Sequence, residues 1–177
     1  MPSEFVKEVA DVFAKDGPLS KVTANYTPRP SQIEFATSVA EALEKGKTLV
    51  AEAGTGTGKT FAYLVPALLK DQKVLISTAG KTLQDQLFTK DIPALLKALG
   101  MGCRVALLKG RSNYICKQRL EHALQEDSYV AKSREEVVHL HRIKKFAEQS
   151  VTGERGDITD VPENSGIWPE VTSTGEN

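Results

Sequence analysis

The chain has 177 residues, with 23 basic and 23 acidic side chains and a formal net charge of zero. That length allows one domain, or one domain and part of another, with a sizeable core; the balanced charge restricts any nucleic-acid surface to a local patch. Two cysteines, Cys103 and Cys116, make no disulfide framework and point to a reducing compartment. The charged N-terminus reads against a signal peptide, and no stretch reaches membrane-spanning length, so a cytoplasmic protein without a membrane partner is expected.

Taken in chain order, residues 3–14 carry Phe5, Val6, Val9, Val12 and Phe13 at helical spacing, and Gly17-Pro18 ends that helix. A second helix begins near Pro30, with Ser31 and Glu34 spaced as a capping box. Ile33, Ala36, Ala40 and Leu43 form its apolar stripe, and it stops at Gly46. Residues 48–53 form an apolar run expected to be a buried strand. It leads into Ala53-Gly54-Thr55-Gly56-Thr57-Gly58-Lys59-Thr60, followed by a helix to about Lys70 that Pro66 should kink. Residues 73–78 are a second strand candidate, and 81–99 a helix interrupted near Asp91-Ile-Pro93. Residues 103–108 are a third strand candidate, with Cys103 a small buried residue at its start. Helices are expected over 117–126 and 134–148. From 150 to 177 the chain is rich in Gly, Ser, Thr, Asp and Glu, with isolated apolar residues such as Ile167 and Trp168, and reads as poorly ordered loop. Strands alternating with helices imply an α/β fold, a parallel sheet with helices on both faces. The glycine-rich loop then lies at the C-terminal edge of the sheet.

The chemistry concentrates in that loop. A strand, a turn ending in Gly-Lys-Thr and a helix make a phosphate-binding loop, because glycines let backbone N–H groups converge on phosphate oxygens beside a positive helix N-terminus. Lys59 is expected to reach the β- and γ-phosphates of ATP, and Thr60 to offer its hydroxyl to Mg²⁺. The usual first glycine is Ala53 here. Gln32 can hold adenine through one donor and one acceptor, though taken alone it reads more readily as a surface glutamine on a helix. Ser77 and Thr78 suit contact with a nucleic-acid backbone, or else an ordinary strand-to-helix cap. His139 and His141 lie two apart on a helix and His122 is isolated, so all three read as surface or packing residues.

Together, Pro-Arg-Pro-Ser-Gln32, the loop through Thr60, Ser77-Thr78 with Leu83-Gln-Asp-Gln-Leu87, and Lys109-Gly-Arg-Ser-Asn-Tyr-Ile-Cys116 resemble the iron–sulfur superfamily 2 DNA helicases. The likeness is to the bacterial DinG/YoaA branch, related to XPD. It is strong over 22–120 and weaker at Trp168-Pro-Glu-Val-Thr-Ser-Thr. The resemblance implies a RecA-like P-loop fold. It makes Gln32 the adenine reader, residues 53–60 the phosphate loop and Ser77 and Thr78 the contacts to single-stranded DNA. Cys116 becomes the first of four ligands of a 4Fe–4S cluster, carried on an insertion that acts as a wedge at a forked duplex. The implied activity is ATP-dependent 5′→3′ translocation and unwinding in DNA repair, with replication or repair proteins as partners. Domains follow as 1–21, an N-terminal helix and linker; 22–110, the first part of motor domain 1; and 111–177, the helical start of the cluster insertion.

Two departures qualify this. Four thiolates are needed for the cluster and the chain has two cysteines; and no apolar run ends in Asp-Glu, which such an ATPase needs for Mg²⁺ and the attacking water. The expectation is therefore the N-terminal part of a longer helicase, able to bind ATP weakly but not to turn it over. Two alternatives remain: another P-loop enzyme, a kinase or GTPase, although no guanine-reading Asn-Lys-x-Asp occurs; and a non-enzymatic nucleotide- or DNA-binding remnant.

Overall fold

The computed structural model describes residues 1–125 and 133–173, which divide into two units, Met1–Leu107 and Leu108–Asn177. Residue 126, the last of the helix expected over 117–126, and residues 174–177 of the tail lie outside the described residues.

The first unit is built on helices. α1 (Glu4–Val12) starts where the Ser3 hydroxyl accepts the Val6 N–H at 3.2 Å, a cap that satisfies one of the otherwise unpaired first-turn donors. Its apolar spacing buries Val6, Val9 and Val12 on one face. α2 (Pro30–Lys45) starts with Pro30 in its first turn and Arg29 as an uncapped N-cap. The expected Ser31/Glu34 capping box is thus corrected, because Ser31 already lies inside the helix. Pro30, whose ring fixes a helical φ and which has no N–H to satisfy, sets the boundary instead. Gly46 ends α2 in the left-handed region at φ 58°, with Lys47 N–H returning to the Ala42 carbonyl at 2.9 Å. α3 (Lys59–Leu69) runs through Pro66, which is buried. α4 (Lys81–Gln86) passes through a π-helical turn (Leu87–Asp91) into α5 (Ile92–Leu99), so the interruption expected near Pro93 is a widened turn within a continuing helix. Pro93 has no N–H for a bond to residue 89, and the slack is taken up one turn earlier. α1, α2, α3 and α5 bury Val9, Phe13, Ala36, Ala40, Leu64, Val65 and Leu95 in one core. At about 1.5–3 kcal/mol for each large side chain buried, this core is the main stabilising element of the unit.

The three strand candidates differ from expectation. Residues 48–53, 73–78 and 103–108 form no β-ladder, and no strand occurs among the described residues. These segments are also exposed rather than buried: Val50 is 93 % and Leu75 95 % exposed. Cys103 is exposed too, correcting its assignment as a buried residue. The physical reason is cooperative. A parallel strand is buried only when neighbours pair with both its edges and helices cover both faces, and each isolated parallel pairing contributes little. Apolar character alone does not make a strand where those partners are not in place.

The second unit contains α6 (Lys117–Gln125), α7 (Arg134–Gln149) and α8 (Trp168–Val171). Ser133 caps α7 by accepting the Glu136 N–H at 3.2 Å. The tail expected to be poorly ordered loop is irregular but packed. Ile158, Val161, Ile167, Trp168 and Val171 join Leu120, Ala123, Leu140 and Ile143 in a second core. Polar groups along the tail are satisfied locally: the Trp168 indole donates to the Pro162 carbonyl at 2.8 Å, and Thr172 to the Trp168 carbonyl at 2.8 Å. Two isolated antiparallel bridges, Tyr114 with Glu154 and Ile115 with Thr172, fasten the tail to the start of the unit. Among the described residues no helix is long and apolar enough to cross a membrane.

Candidate nucleotide site and family

The phosphate loop lies between the end of the unpaired segment at 48–53 and the start of α3. Gly58 is the N-cap of α3 at φ 81°, and no side chain caps that end, so the first-turn N–H groups are available to an anion. The left-handed φ requires glycine here, and a Cβ would displace the Gln32 amide that bonds this carbonyl. Gly56 also has a positive φ, 74°, whereas Ala53 does not; among the described non-glycine residues only Asn25 and Asp71 do. The backbone at the first position therefore accepts alanine without strain.

Three donors hold the loop through its own carbonyls. The Gln32 amide donates to Gly58 at 2.9 Å, the Arg29 guanidinium to Gly56 at 2.5 Å, and Lys59 Nζ to Ala53 and Gly54, each at 2.7 Å. Thr57 adds a bond to the Gly54 carbonyl at 2.9 Å. Gln32 is buried, and its second N–H and its Oε1 have no protein partner among the described residues. Lys59 thus neutralises the loop's own dipoles.

A cavity of about 440 Å³ opens beside the loop, lined by Tyr26, Arg29, Gln32, Gly58, Thr60, Gln86 and Asp91, among others. Tyr26 donates its hydroxyl to the Phe13 carbonyl at 2.9 Å. Burial pushes its phenol up from the ordinary value of 10.0, against the lowering influence of Arg29. On α3, burial pushes the Tyr63 phenol up; a hydrogen bond with Thr60 lowers it and the Asp91 carboxylate raises it. The Gln86 amide donates to Asp91 at 3.0 Å. Sequence reasoning singled out Gln32, Lys59 and Thr60 but missed Tyr26, Arg29, Gln86 and Asp91 as cavity lining. Arg29 was legible within Tyr-Thr-Pro-Arg-Pro-Ser-Gln32, three residues from the glutamine and so on the same side of the entering helix. Asp91 reaches the cavity through the π turn, which no local pattern announces.

The remaining candidates lie outside this cluster. Ser77 is exposed, and Thr78 donates to the Gly80 carbonyl at 3.2 Å. Cys116 belongs to the second unit, half-buried, with its N–H bonded to the Val171 carbonyl at 2.9 Å. His139 is buried against the Ser165 hydroxyl at 3.0 Å while His141 is exposed, in keeping with packing and surface roles. Among the described residues no group of three or more His, Cys, Asp or Glu is placed to hold a metal.

Comparison with known proteins bears on this site. The profile of the DEAD/DEAH box helicase family matches residues 33–149. The chain is 47 % identical over 170 residues to the ATP-dependent DNA helicase YoaA of Escherichia coli (strain K12), covering 96 % of this chain and 26 % of that protein. It is 41 % identical over 174 residues to the YoaA of Haemophilus influenzae, covering 98 % of this chain and 27 % of the relative. With the ATP-dependent helicase DinG of Mycobacterium tuberculosis it shares 36 % identity over 151 residues, 75 % of this chain and 23 % of the relative. The chain thus spans about a quarter of the length of the curated relatives it matches. With a phosphate loop clasped from an upstream glutamine helix and a family profile covering two thirds of its length, the chain belongs to the DEAD/DEAH box helicase family.

Proposed function

We propose that this chain is the ATP-binding front of an ATP-dependent DNA helicase, with Met1–Leu107 containing the first part of motor domain 1 and the residues from 111 onward beginning the iron–sulfur insertion. The observation that carries the reading is the tie between Gln32 and Gly58. Because a carbonyl can only accept, this bond fixes which end of the Gln32 amide is nitrogen. One N–H and Oε1 are then left to face a base. Adenine offers the matching acceptor and donor, N7 and the N6 amino group, whereas guanine presents two acceptors there. A nucleotide read by Gln32 would lay its phosphates over residues 54–60 and the uncapped start of α3.

The roles of the other residues follow from the same geometry. Lys59 exchanges the Ala53 and Gly54 carbonyls for phosphate oxygens, Arg29 steadies the loop through Gly56, and Thr60 supplies one oxygen to Mg²⁺. Mg²⁺ usually retains several waters and needs few protein ligands, so a single Thr60 hydroxyl beside a phosphate fits it. The hydrolytic carboxylate does not come from this chain's own sequence pattern, and whole-protein translocation and 5′→3′ unwinding of forked DNA, with single-stranded DNA passing Ser77 and Thr78, are assigned to the longer protein. The cluster does not fit the residues present: the sequence holds two cysteines, in different units, where four thiolates are required. Of the two, only Cys116 is a candidate ligand, and alone it holds no cluster.

The test is equilibrium binding of a fluorescent ATP analogue to the 177-residue protein, with competition by ATP and GTP. Lys59→Ala is expected to weaken binding by about tenfold or more, equivalent to ~1.4 kcal/mol, and Gln32→Ala to remove the preference for ATP over GTP. Equal competition by GTP in the wild type, or ATP turnover that disappears in Lys59→Ala, would overturn the reading of this chain as an adenine-selective but catalytically incomplete front.

A further inference from the structure

Among the described residues, Asp91 is the one carboxylate that lines the cavity beside the phosphate loop, and the roles assigned above leave it without one. It closes the π-helical turn and stands at the start of α5, where an aspartate commonly accepts an N–H of the helix that it precedes; here its side chain caps nothing. The Gln86 amide donates to its Oδ2 at 3.0 Å, which orients the carboxylate and leaves Oδ1 out of that bond. Gln86 comes from Leu83-Gln-Asp-Gln-Leu87, a segment that the phosphate loop does not account for. Gln32, Gly58 and Thr60 line the same cavity, whose volume of about 440 Å³ is that of a small-molecule site.

We infer that Asp91 accepts hydrogen bonds from the ribose hydroxyls of the bound nucleotide, with Gln86 orienting it. This rests on the ATP reading above and adds the sugar to it. A nucleoside triphosphate has three parts to satisfy. Its phosphates are anions, which a carboxylate repels, and they belong over residues 54–60. Its base is matched by the Gln32 amide. Between the two lies the ribose, whose neighbouring hydroxyls are donors, and an ionised carboxylate is an acceptor with two oxygens and no proton of its own. Carboxylates hold ribose hydroxyls in this way in dinucleotide sites. Thr23, Asn25 and Thr27 also line the cavity, but they are neutral and therefore weaker acceptors. Arg29, the cation of the lining, is a donor and is bonded to the Gly56 carbonyl.

The experiment is competition against an ATP probe labelled on its γ-phosphate, which leaves the sugar free, on the 177-residue protein. ATP, 2′-deoxy-ATP and 3′-deoxy-ATP are the competitors. At least one deoxy nucleotide is expected to compete about tenfold less well than ATP, as for loss of a hydrogen bond to a charged acceptor. Asp91→Ala should bring the three within about twofold of one another. Asp91→Asn retains the volume and an oxygen for Gln86, so its melting temperature should match the parent while most of the discrimination is lost. GTP, run beside them, should remain disfavoured in both variants, because Gln32 is untouched. Equal competition by all three sugars in the parent, or discrimination that survives in both variants, would overturn the inference. So would an equal loss for all three sugars in Asp91→Ala, the result expected if the carboxylate served Mg²⁺-bound water instead. ATP binding that stays Gln32- and Lys59-dependent in the same preparations would show that the nucleotide reading survives such a result, whereas failure of ATP itself to compete would remove both.

Discussion

Residues 73–78, Lys-Val-Leu-Ile-Ser-Thr, and the tail at 150–173 exchange their expected roles. The first is an apolar run, yet Leu75 is 95 % exposed. The second is dominated by Gly, Ser, Thr, Asp and Glu, yet Ile167 and Val171 are completely buried. Burial follows the presence of a complementary surface, not the hydrophobicity of the segment. α6 and α7 form an apolar cleft that the tail can fill with five well-spaced side chains. The apolar run needs strands on both edges and helices on both faces before it can leave water. The contrast also separates two kinds of polar segment: one that lacks apolar anchors altogether and one, like this tail, that has just enough of them.

The comparison is broken most forcefully at Trp168. Its ring is 3 % exposed, its indole donates to the Pro162 carbonyl, and the Arg155 guanidinium lies 5.5 Å from its centroid. Trp168→Ala should cost about 3–5 kcal/mol in the second unit, read by denaturant unfolding and by new protease cuts between 150 and 173. A tail that stayed protected would mean that its apolar residues are not what holds it. Leu75→Ser should change stability by no more than about 0.5 kcal/mol, as for an exposed site. A core-sized loss would mean that 73–78 pairs into a sheet in solution. The smallest effect separates the units by pH. Tyr26 and Tyr63, both in the first unit, have phenols raised above 10.0 by burial. Their contribution to stability is complete below pH 10.0, because both folded and unfolded forms are then protonated. It is lost as pH rises through the folded values, because the unfolded chain releases its protons first. Melting temperature followed above pH 10 should decline less steeply in Tyr63→Phe than in the parent; equal slopes would show that burial of this phenol does not matter.

What was readable in the sequence depended on the range of the interaction concerned. Gly46 marked the end of α2 because a left-handed residue is a local requirement. Lys59 was readable because it lies five or six residues from the Ala53 and Gly54 carbonyls that it bonds, whereas Gln32, 26 residues from Gly58, was legible only as an amide at the start of the upstream helix. The start of α2 near Pro30 was legible, but the Ser31/Glu34 capping box was not what set it, because both patterns fit and only Pro30 at the first turn is used. Asp91 was invisible because its approach to the cavity depends on a π turn displaced from the proline that causes it. The strand segments and the tail were misjudged for a common reason: each needs a distant partner, and periodicity describes one partner at a time.

The bond from Ser173 to the Tyr114 carbonyl closes the second unit on itself. At 3.2 Å it brings together two positions separated by the whole of α6, α7 and α8, and the bridge from Ile115 to Thr172 lies beside it. A segment whose ends meet can be acquired by a host chain, or removed from it, by changing one surface turn, with little disturbance to either side. Residues 114 and 173 are neighbours, and the segment between them starts and finishes at one place on the second unit.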